Sequence, residues 1–191
     1  MNIGLDIDGC MNNLQKSVAK VLKRDYNVEA PQDKWGMLKY AGITTRKDEL
    51  EFWGKYKYEL LDSTSIEKDA YGVIKELYEG GHRLDIITAR EYNVAKLTIE
   101  WLKKHEISYH NIYFSCYDKD DVCKWKNIHI MVEDNRDNAL HVAETGTIVL
   151  LYDRLYNKNT EHKNIIRCKN WKDVSQQIKK EITLNEKNWI L

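Results

Sequence analysis

The chain has 191 residues, of which 42% are hydrophobic and 31% are charged, so it is long enough for one domain with a substantial core. Thirty Lys and Arg balance thirty Asp and Glu, and this zero net charge argues against a broad surface for polymeric nucleic acid or a membrane. The four cysteines form no C-x-x-C pair, and no apolar run reaches the roughly 18 residues of a membrane span, so we expect a cytoplasmic protein without disulfides.

Short apolar runs that alternate with helical patterns predict the elements of the fold. The runs are rich in Ile, Val and Tyr, and several lack a polar face, which is typical of strands covered on both sides. The predicted strands are 2–7, 84–88, 111–115, 128–132, 147–152 and 164–168. The predicted helices between and after them are 67–79, 91–105, 135–144 and 171–182, and residues 185–191 are expected to fray. This alternation predicts an α/β fold with a doubly wound parallel sheet.

Residues 13–65 break the alternation, because they hold two helical patterns and no strand pattern. We therefore predict a core made of residues 1–12 and 66–191, with a helical cap subdomain at 13–65 inserted after the first strand. An insertion at this point is a natural lid over the carboxyl ends of the strands, where open α/β sheets bind ligands.

Asp6 and Asp8 lie two residues apart at the end of the first predicted strand. Residues i and i+2 of a strand point to the same side, so both carboxylates should face one space. Two neighbouring carboxylates repel unless a proton or a cation lies between them. Gly9 follows and permits a sharp turn, and a solvated Asp-Gly turn is the alternative interpretation.

Three further strands also end in polar residues. Thr88 follows the second strand, where a hydroxyl could bind an anion or only cap the next helix. Lys119 lies in the charged run 118–121 after the third strand, which is either a site or a solvated surface. The acids of 133–137 follow the fourth strand, where they suit Mg²⁺ or the cap of a helix. Because the carboxyl ends of the strands share one edge, the four motifs together predict a single site.

This order of motifs resembles the haloacid dehalogenase superfamily of phosphotransferases. The resemblance rests on DIDG at 6–9, ITAR at 87–90, DK at 118–119 and VEDNRD at 132–137. Fifteen residues separate Lys119 from Asp134, which leaves room for a short helix and a strand, whereas Lys124 and Lys126 lie too close to Asp134. Within the superfamily the sequence is most similar to 5′(3′)-deoxyribonucleotidases and bacterial nucleotidase relatives, partly through its tail at 156–157 and 165–171.

The resemblance implies a Mg²⁺-dependent phosphomonoester hydrolase. Asp6 would be the nucleophile that forms an aspartyl-phosphate, and Asp8 would be the general acid and then the general base. Mg²⁺ would be held by Asp6, the backbone carbonyl of Asp8 and Asp134. The sequence departs from the family pattern at Cys10, where Thr or Val is usual, and this places a thiol near the site.

The resemblance also implies roles for the residues around these three acids. Lys119, Thr88 and Arg90 would bind the phosphate group. Glu133 or Asp137 would orient the waters of the metal ion.

The substrate expected from the resemblance is a small phosphate monoester, with a nucleoside monophosphate as first choice. The cap residues Trp35, Trp53 and Tyr56 could stack on a base, although aromatic residues at helical spacing are often core. The alternatives are a phosphatase for a sugar phosphate or other metabolite, or a phosphate-binding module without catalysis. A phospho-receiver domain would lack the long insertion after the first strand. The aromatic-rich, neutral chain is also compatible with a homodimer.

Overall fold

A single parallel sheet forms the centre of the protein. The computed structural model describes the backbone of residues 1–188 and the side chains of residues 1–184. Of the residues 185–191 that are predicted to fray, 185–188 continue the last helix, and 189–191 lie outside the described residues. The strands are β1 Asn2–Leu5, β2 Arg83–Ile87, β3 Asn111–Tyr113, β4 Ile130–Glu133, β5 Ile148–Tyr152 and β6 Ile165–Cys168. The predicted strands are confirmed to within two residues at each end.

The strands are arranged in the order β3-β2-β1-β4-β5-β6, and every neighbouring pair is parallel. The chain moves outward from β1 to β3 and then returns to the other side of β1 with β4. This reversal places a topological switch point between β1 and β4, and a crevice for ligands opens there at the carboxyl ends of the strands. The predicted doubly wound α/β fold is confirmed.

Helices cover both faces of the sheet. They are α1 Leu14–Tyr26, α2 Arg46–Lys57, α3 Ala70–Glu79, α4 Ala95–Lys104, α5 Asp120–Trp125, α6 Arg136–Glu144 and α7 Trp171–Asn188. Side chains of α3, α4 and α7 form one core with alternate strand residues such as Leu84 and Ile130. Side chains of α5 and α6 form a second core with the intervening residues, such as Met131. Alternation along each strand therefore fills two apolar layers, which explains why the strand sequences lack a polar face.

The segment after β1 is helical, as predicted. It contains α1, a 3₁₀ turn at Met37–Ala41, α2 and a π-helical turn at Tyr58–Asp62. These elements have a small apolar core of their own, with Leu22, Phe52 and Leu60 at its centre. A Thr45–Asp48 capping box fixes the beginning of α2. The division into a core at 1–12 and 66–191 and a cap at 13–65 stays a prediction, as does the homodimer.

Two predicted helices begin later than expected. Residues 67–69 do not belong to α3, because Asp69 has a φ of 66° and lies outside the helical region. The helix predicted at 91–105 starts with a 3₁₀ turn at Tyr92–Val94 and becomes α-helical at Ala95. All four cysteines are free and buried. Among the described residues, no helix combines the length and the apolar character that a membrane crossing requires.

We expect Leu84→Ala to lower the free energy of unfolding by about 2–5 kcal/mol, because Leu84 is fully buried in the main core and its truncation leaves a cavity. The matched control is Leu184→Ala on the exposed side of α7, for which we expect a change within about 0.5 kcal/mol. Urea unfolding followed by circular dichroism measures both. Equal effects would contradict the assignment of Leu84 to the core.

Candidate active site

A tight turn after β1 places the two acids of the first motif. The strand ends at Leu5, and the carbonyl of Ile7 accepts the backbone N–H groups of residues 10–12 at 2.9–3.3 Å. Asp6 is buried and Asp8 is half-buried, and both side chains face the same cleft. The shared direction was predicted, but the turn as well as the strand alternation produces it.

Gly9 makes this turn possible in two ways. Its φ of 100° lies in the region that side chains disfavour. A Cβ atom at this position would also lie 1.9 Å from Oδ2 of Asp134, so the carboxylate of Asp134 occupies the space that a side chain would need. The missing side chain thus lets the turn after β1 contact the acid after β4.

Lys119, which follows β3, contacts acids at the ends of β1 and β4. Its buried Nζ lies 2.6 Å from Oδ1 of Asp6 and 2.6 Å from Oε2 of Glu133. The other carboxylate oxygen of Glu133 accepts the backbone N–H of Asn135 at 2.8 Å. Burial lowers the pKa of Lys119, but the charges of the two acids outweigh this and raise it above its ordinary value, so Lys119 stays positively charged.

Arg90 binds Asp8 through two hydrogen bonds. Its Nε and Nη2 donate to the two carboxylate oxygens of Asp8, each at 2.8 Å, and Asn12 donates to Oδ1 at 3.0 Å. Burial raises the pKa of Asp8, but the charge of Arg90 and these hydrogen bonds outweigh it, so the pKa lies below its ordinary value. Arg90 was predicted to bind phosphate, whereas here its guanidinium is engaged by Asp8 and by the hydroxyl of Thr98.

Thr88 directly follows β2 and contacts the backbone of Arg90. Its buried hydroxyl accepts the backbone N–H of Arg90 at 3.1 Å, and Thr88 lines the cleft. Because α4 begins only at Ala95, Thr88 does not cap that helix. The capping interpretation is therefore wrong for Thr88, which lines the same cleft as the acids.

Asn135, not Asp134, caps α6. The side chain of Asn135 accepts the backbone N–H groups of Asp137 and Asn138 at 2.9 and 3.0 Å. The capping interpretation thus holds for Asn135 and leaves the carboxylate of Asp134 to face the cleft. Asp137 was predicted to orient metal-bound water, but it is exposed and does not line the cleft, whereas Asn138 does.

Residues after β5 and β6 form hydrogen bonds to the turn after β1 and to Asp134. The four sequence motifs did not indicate these residues. The hydroxyl of Tyr156 donates to Oδ2 of Asp134, and Asn157 donates to the backbone carbonyl of Asp134 at 2.8 Å. Arg154 donates to the carbonyl of Gly9 at 2.8 Å, and Trp171 donates to the carbonyl of Cys10 at 3.0 Å. The only signal in the sequence was the tail at 156–157 and 165–171, which carries part of the family resemblance.

The site has more buried negative charge than its own cations neutralise. Burial and the neighbouring carboxylates raise the pKa of Asp6 well above its ordinary value against the opposing effect of Lys119. Burial and the charge of Glu133 raise the pKa of Asp134 to about 7. Such shifts mean that ionised acids here repel one another in the absence of a further cation.

A hard divalent cation fits this donor set. Ligand atoms of Asp6, Asp134 and Cys10 lie within 4.8 Å of one another, and two of the three are carboxylate oxygens. Burial raises the pKa of the Cys10 thiol, so this group stays protonated and is a weak ligand. The two carboxylates match the metal ligands expected from the sequence, while the side chain of Asp8 is turned to Arg90.

The acids open into a cleft of about 540 Å³ between the strand ends and the helical insertion. Trp53 is half-buried and lines the cleft beside apolar residues of α1 and α2, and the exposed Trp35 lines its mouth. Tyr56, the third predicted substrate residue, is instead 4% exposed within the small apolar core, so it packs with Phe52. The position of Tyr56 agrees with the core interpretation rather than with a substrate contact.

A parallel sheet with acids and a lysine at this edge, under a helical insertion, fits the haloacid dehalogenase superfamily of phosphatases, and the chain belongs to that class. Within it, the chain belongs to the family described as 5′ nucleotidase, deoxy (pyrimidine), cytosolic type C, whose profile matches residues 1–183. The protein is therefore an enzyme, a phosphatase of the nucleotidase type.

Relatives from two bacteria agree with this family. A nucleotidase of Clostridium acetobutylicum is 37% identical over 125 residues, which is 65% of this chain and 65% of that protein. A candidate nucleotidase of Bacillus subtilis (strain 168) is 30% identical over 189 residues, and the match covers 92% of both chains. The match thus spans nearly two thirds of the Clostridium protein and almost all of the Bacillus protein.

Solved structures share the fold at low sequence identity. A haloacid dehalogenase-like hydrolase from Streptococcus pneumoniae superposes with a TM-score of 0.67 at 16% identity, over 92% of this chain and 97% of that one. A D,D-heptose 1,7-bisphosphate phosphatase from B. bronchiseptica, complexed with magnesium and phosphate, gives 0.55 at 12% identity, over 94% and 98%. At these identities the similarity concerns the fold.

We expect Gly9→Ala to lower the phosphatase rate on an aryl phosphate at least 100-fold, because the added Cβ displaces the carboxylate of Asp134. Gly146→Ala is the matched control: Gly146 also has a positive φ, of 92°, but nothing lies within 4 Å of its Cβ position. It should lose about 1–2 kcal/mol of stability from backbone strain and keep its rate. Equal rates for the two variants would contradict the contact between Gly9 and Asp134.

Proposed function

We propose that the protein is a Mg²⁺-dependent phosphomonoester hydrolase that acts through an aspartyl-phosphate on Asp6, with nucleoside monophosphates as substrates. The observation that carries the proposal is the buried Lys119, which neutralises Asp6 at 2.6 Å beside three further acids in a cleft. A phosphate monoester hydrolyses very slowly without a catalyst, so the site must neutralise charge and align nucleophile and leaving group.

In the first half of the reaction, a carboxylate oxygen of Asp6 forms a bond to phosphorus and the bond from phosphorus to the leaving oxygen breaks. Asp8 gives its proton to that oxygen. The ligand-free Asp8 is ionised beside Arg90, and the negative charge of an incoming phosphate raises the pKa of Asp8 so that it carries the proton. Lys119 and the Thr88 hydroxyl bind the transferring phosphoryl oxygens.

In the second half, Asp8 takes a proton from water, and the water oxygen attacks the phosphorus of the aspartyl-phosphate. Inorganic phosphate leaves and Asp6 is regenerated. The low pKa that Arg90 imposes on Asp8 suits this step, because Asp8 must accept a proton from its ionised form. Arg90 thereby fixes the orientation of Asp8, and the phosphate contact predicted for Arg90 stays a prediction.

Asp6 and Asp134 would hold Mg²⁺, together with the backbone carbonyl of Asp8, and Glu133 would fix the orientation of Lys119. When bound, Mg²⁺ supplies positive charge beside the transferring phosphoryl group. The raised pKa values of Asp6 and Asp134 support a cation here, because both acids ionise fully only next to added positive charge.

The cleft supports a substrate with an aromatic base. Trp53 and Trp35 present ring surface to it, and apolar side chains of α1 and α2 line the same wall. A flat base stacks on such rings without a hydrogen-bond pattern specific to one base. The names of the Clostridium and Bacillus relatives support the same substrate class.

We expect Asp6→Asn to lower Mg²⁺-dependent phosphate release about 1,000-fold or more, because the amide is no nucleophile. The assay uses a panel of nucleoside monophosphates, sugar phosphates and one aryl phosphate, with Mg²⁺ and with a chelator. Acid quenching after brief exposure to radiolabelled substrate should leave label on the wild-type protein and none on the variant. Asp121→Asn, at an exposed acid of α5, is the control and should keep full activity. Retained turnover in Asp6→Asn would sink the mechanism.

We expect Trp53→Ala to raise the KM for a nucleoside monophosphate about 5- to 100-fold, which corresponds to one lost stacking contact. The KM for a sugar phosphate should change much less, because a sugar has no flat aromatic face to stack on Trp53. Tyr56→Phe is the control, since Tyr56 is buried in the small core and does not line the cleft. A uniform rise for all substrates would contradict a base-binding role of Trp53.

A further inference from the structure

The short segment after β5 contacts the site at three separate points. It contains a 3₁₀ turn at Leu155–Asn157, and Arg154, Tyr156 and Asn157 all direct their side chains toward the turn after β1 or the end of β4. Arg154 and Asn157 bind backbone carbonyls there. Tyr156 differs from them, because it alone in this segment binds a side chain of the site.

The hydroxyl of Tyr156 donates to Oδ2 of Asp134. A phenol carries its proton at neutral pH, so it is the donor and the carboxylate is the acceptor. This bond occupies one oxygen of Asp134 and leaves Oδ1, which lies 4.0 Å from Sγ of Cys10. Gly9 lies against the same carboxylate, so Asp134 is held between the glycine and the tyrosine.

The ring of Tyr156 also contacts the helical insertion. Trp35 lies in the segment between α1 and the 3₁₀ turn at Met37–Ala41, and its ring packs edge-on against Tyr156 with 5.2 Å between centroids at 65°. Trp35 is 51% exposed at the mouth of the cleft. One tyrosine thus touches an aromatic residue of the insertion with its ring and an acid of the core with its hydroxyl.

We propose that Tyr156 is a positioning residue that orients Asp134 for a divalent cation, and that Trp35 couples the helical insertion to the cation site by fixing the ring of Tyr156. The inference rests on the cation site of the proposed function. Groups that hydrogen-bond a metal ligand fix its orientation, and their loss weakens metal binding by about 10- to 100-fold.

The first test is the affinity of the free enzyme for Mn²⁺, which replaces Mg²⁺ at oxygen sites and is observed directly by electron paramagnetic resonance. We expect Tyr156→Phe to raise the Mn²⁺ dissociation constant about 10- to 100-fold, because the ring stays and only the hydrogen bond to Asp134 is lost. The matched control is Tyr109→Phe, at a half-buried tyrosine packed against the main core on the opposite edge of the sheet. Its affinity should equal that of the wild type.

Two further measurements distinguish a loss of Asp134 orientation from a general loss of stability in Tyr156→Phe. Thermal unfolding without metal should be similar for Tyr156→Phe and Tyr109→Phe. Raising the Mn²⁺ concentration should restore most of the phosphatase rate of Tyr156→Phe, because the acids themselves are intact. A variant that binds Mn²⁺ as tightly as the wild type would overturn the role of Tyr156.

The role of Trp35 is tested by a double-mutant cycle on the same affinity. We expect Trp35→Ala to weaken Mn²⁺ binding about two- to tenfold, the size of one aromatic contact, and to have no further effect in Tyr156→Phe. Additive effects would show that Trp35 does not act through the hydroxyl and would overturn the coupling.

The same experiments separate this inference from the proposed function. If the wild type binds no Mn²⁺, both the cation site and the inference fail. If the wild type binds Mn²⁺ and hydrolyses phosphate monoesters while Tyr156→Phe is unchanged, the inference alone fails.

Discussion

The site depends on one interaction, the pairing of the buried ammonium group of Lys119 with the carboxylates of Asp6 and Glu133. A lone buried charge costs several kcal/mol, and a pair repays that cost only with close geometry and further hydrogen bonds. Lys119 has two acids at 2.6 Å, and Glu133 is anchored in turn by a backbone N–H. The ends of β1 and β4 and the beginning of α5 therefore cannot separate without exposing an unpaired charge to an apolar interior.

Much of the site follows from one rule about parallel sheets. Polar residues that directly follow buried strands meet at one edge, and this brought Asp6, Thr88, Lys119 and Asp134 together as the sequence indicated. Lys119 could be singled out among nearby lysines, because only its spacing leaves room for α5 and β4 before Asp134. The fold was predictable from a related pattern, since short apolar runs without a polar face, alternating with helices, are typical of a parallel sheet covered on both sides.

The remaining parts of the site depend on packing that a sequence pattern does not specify. Tyr56 and Trp53 are both aromatic residues of α2, yet one faces the small core and the other the cleft, because the insertion folds around Phe52. Asp137 and Asn138 are consecutive residues of α6, yet only Asn138 lines the cleft. Tyr156 lies four residues beyond the end of β5, so the strand-end rule gave no reason to select it. Hydrogen-bond partners from distant loops are visible only in three dimensions.

The contact of Trp171 with the carbonyl of Cys10 spans 161 positions of the chain. During synthesis the turn after β1 leaves the ribosome well before Arg154 and Trp171, the residues that hold it in place. The geometry of this turn is therefore fixed only after Arg154 and Trp171 have been synthesised, and contacts between such distant residues form slowly. A nascent chain stalled before residue 154 would carry the acids of the site without the scaffold that makes them an enzyme.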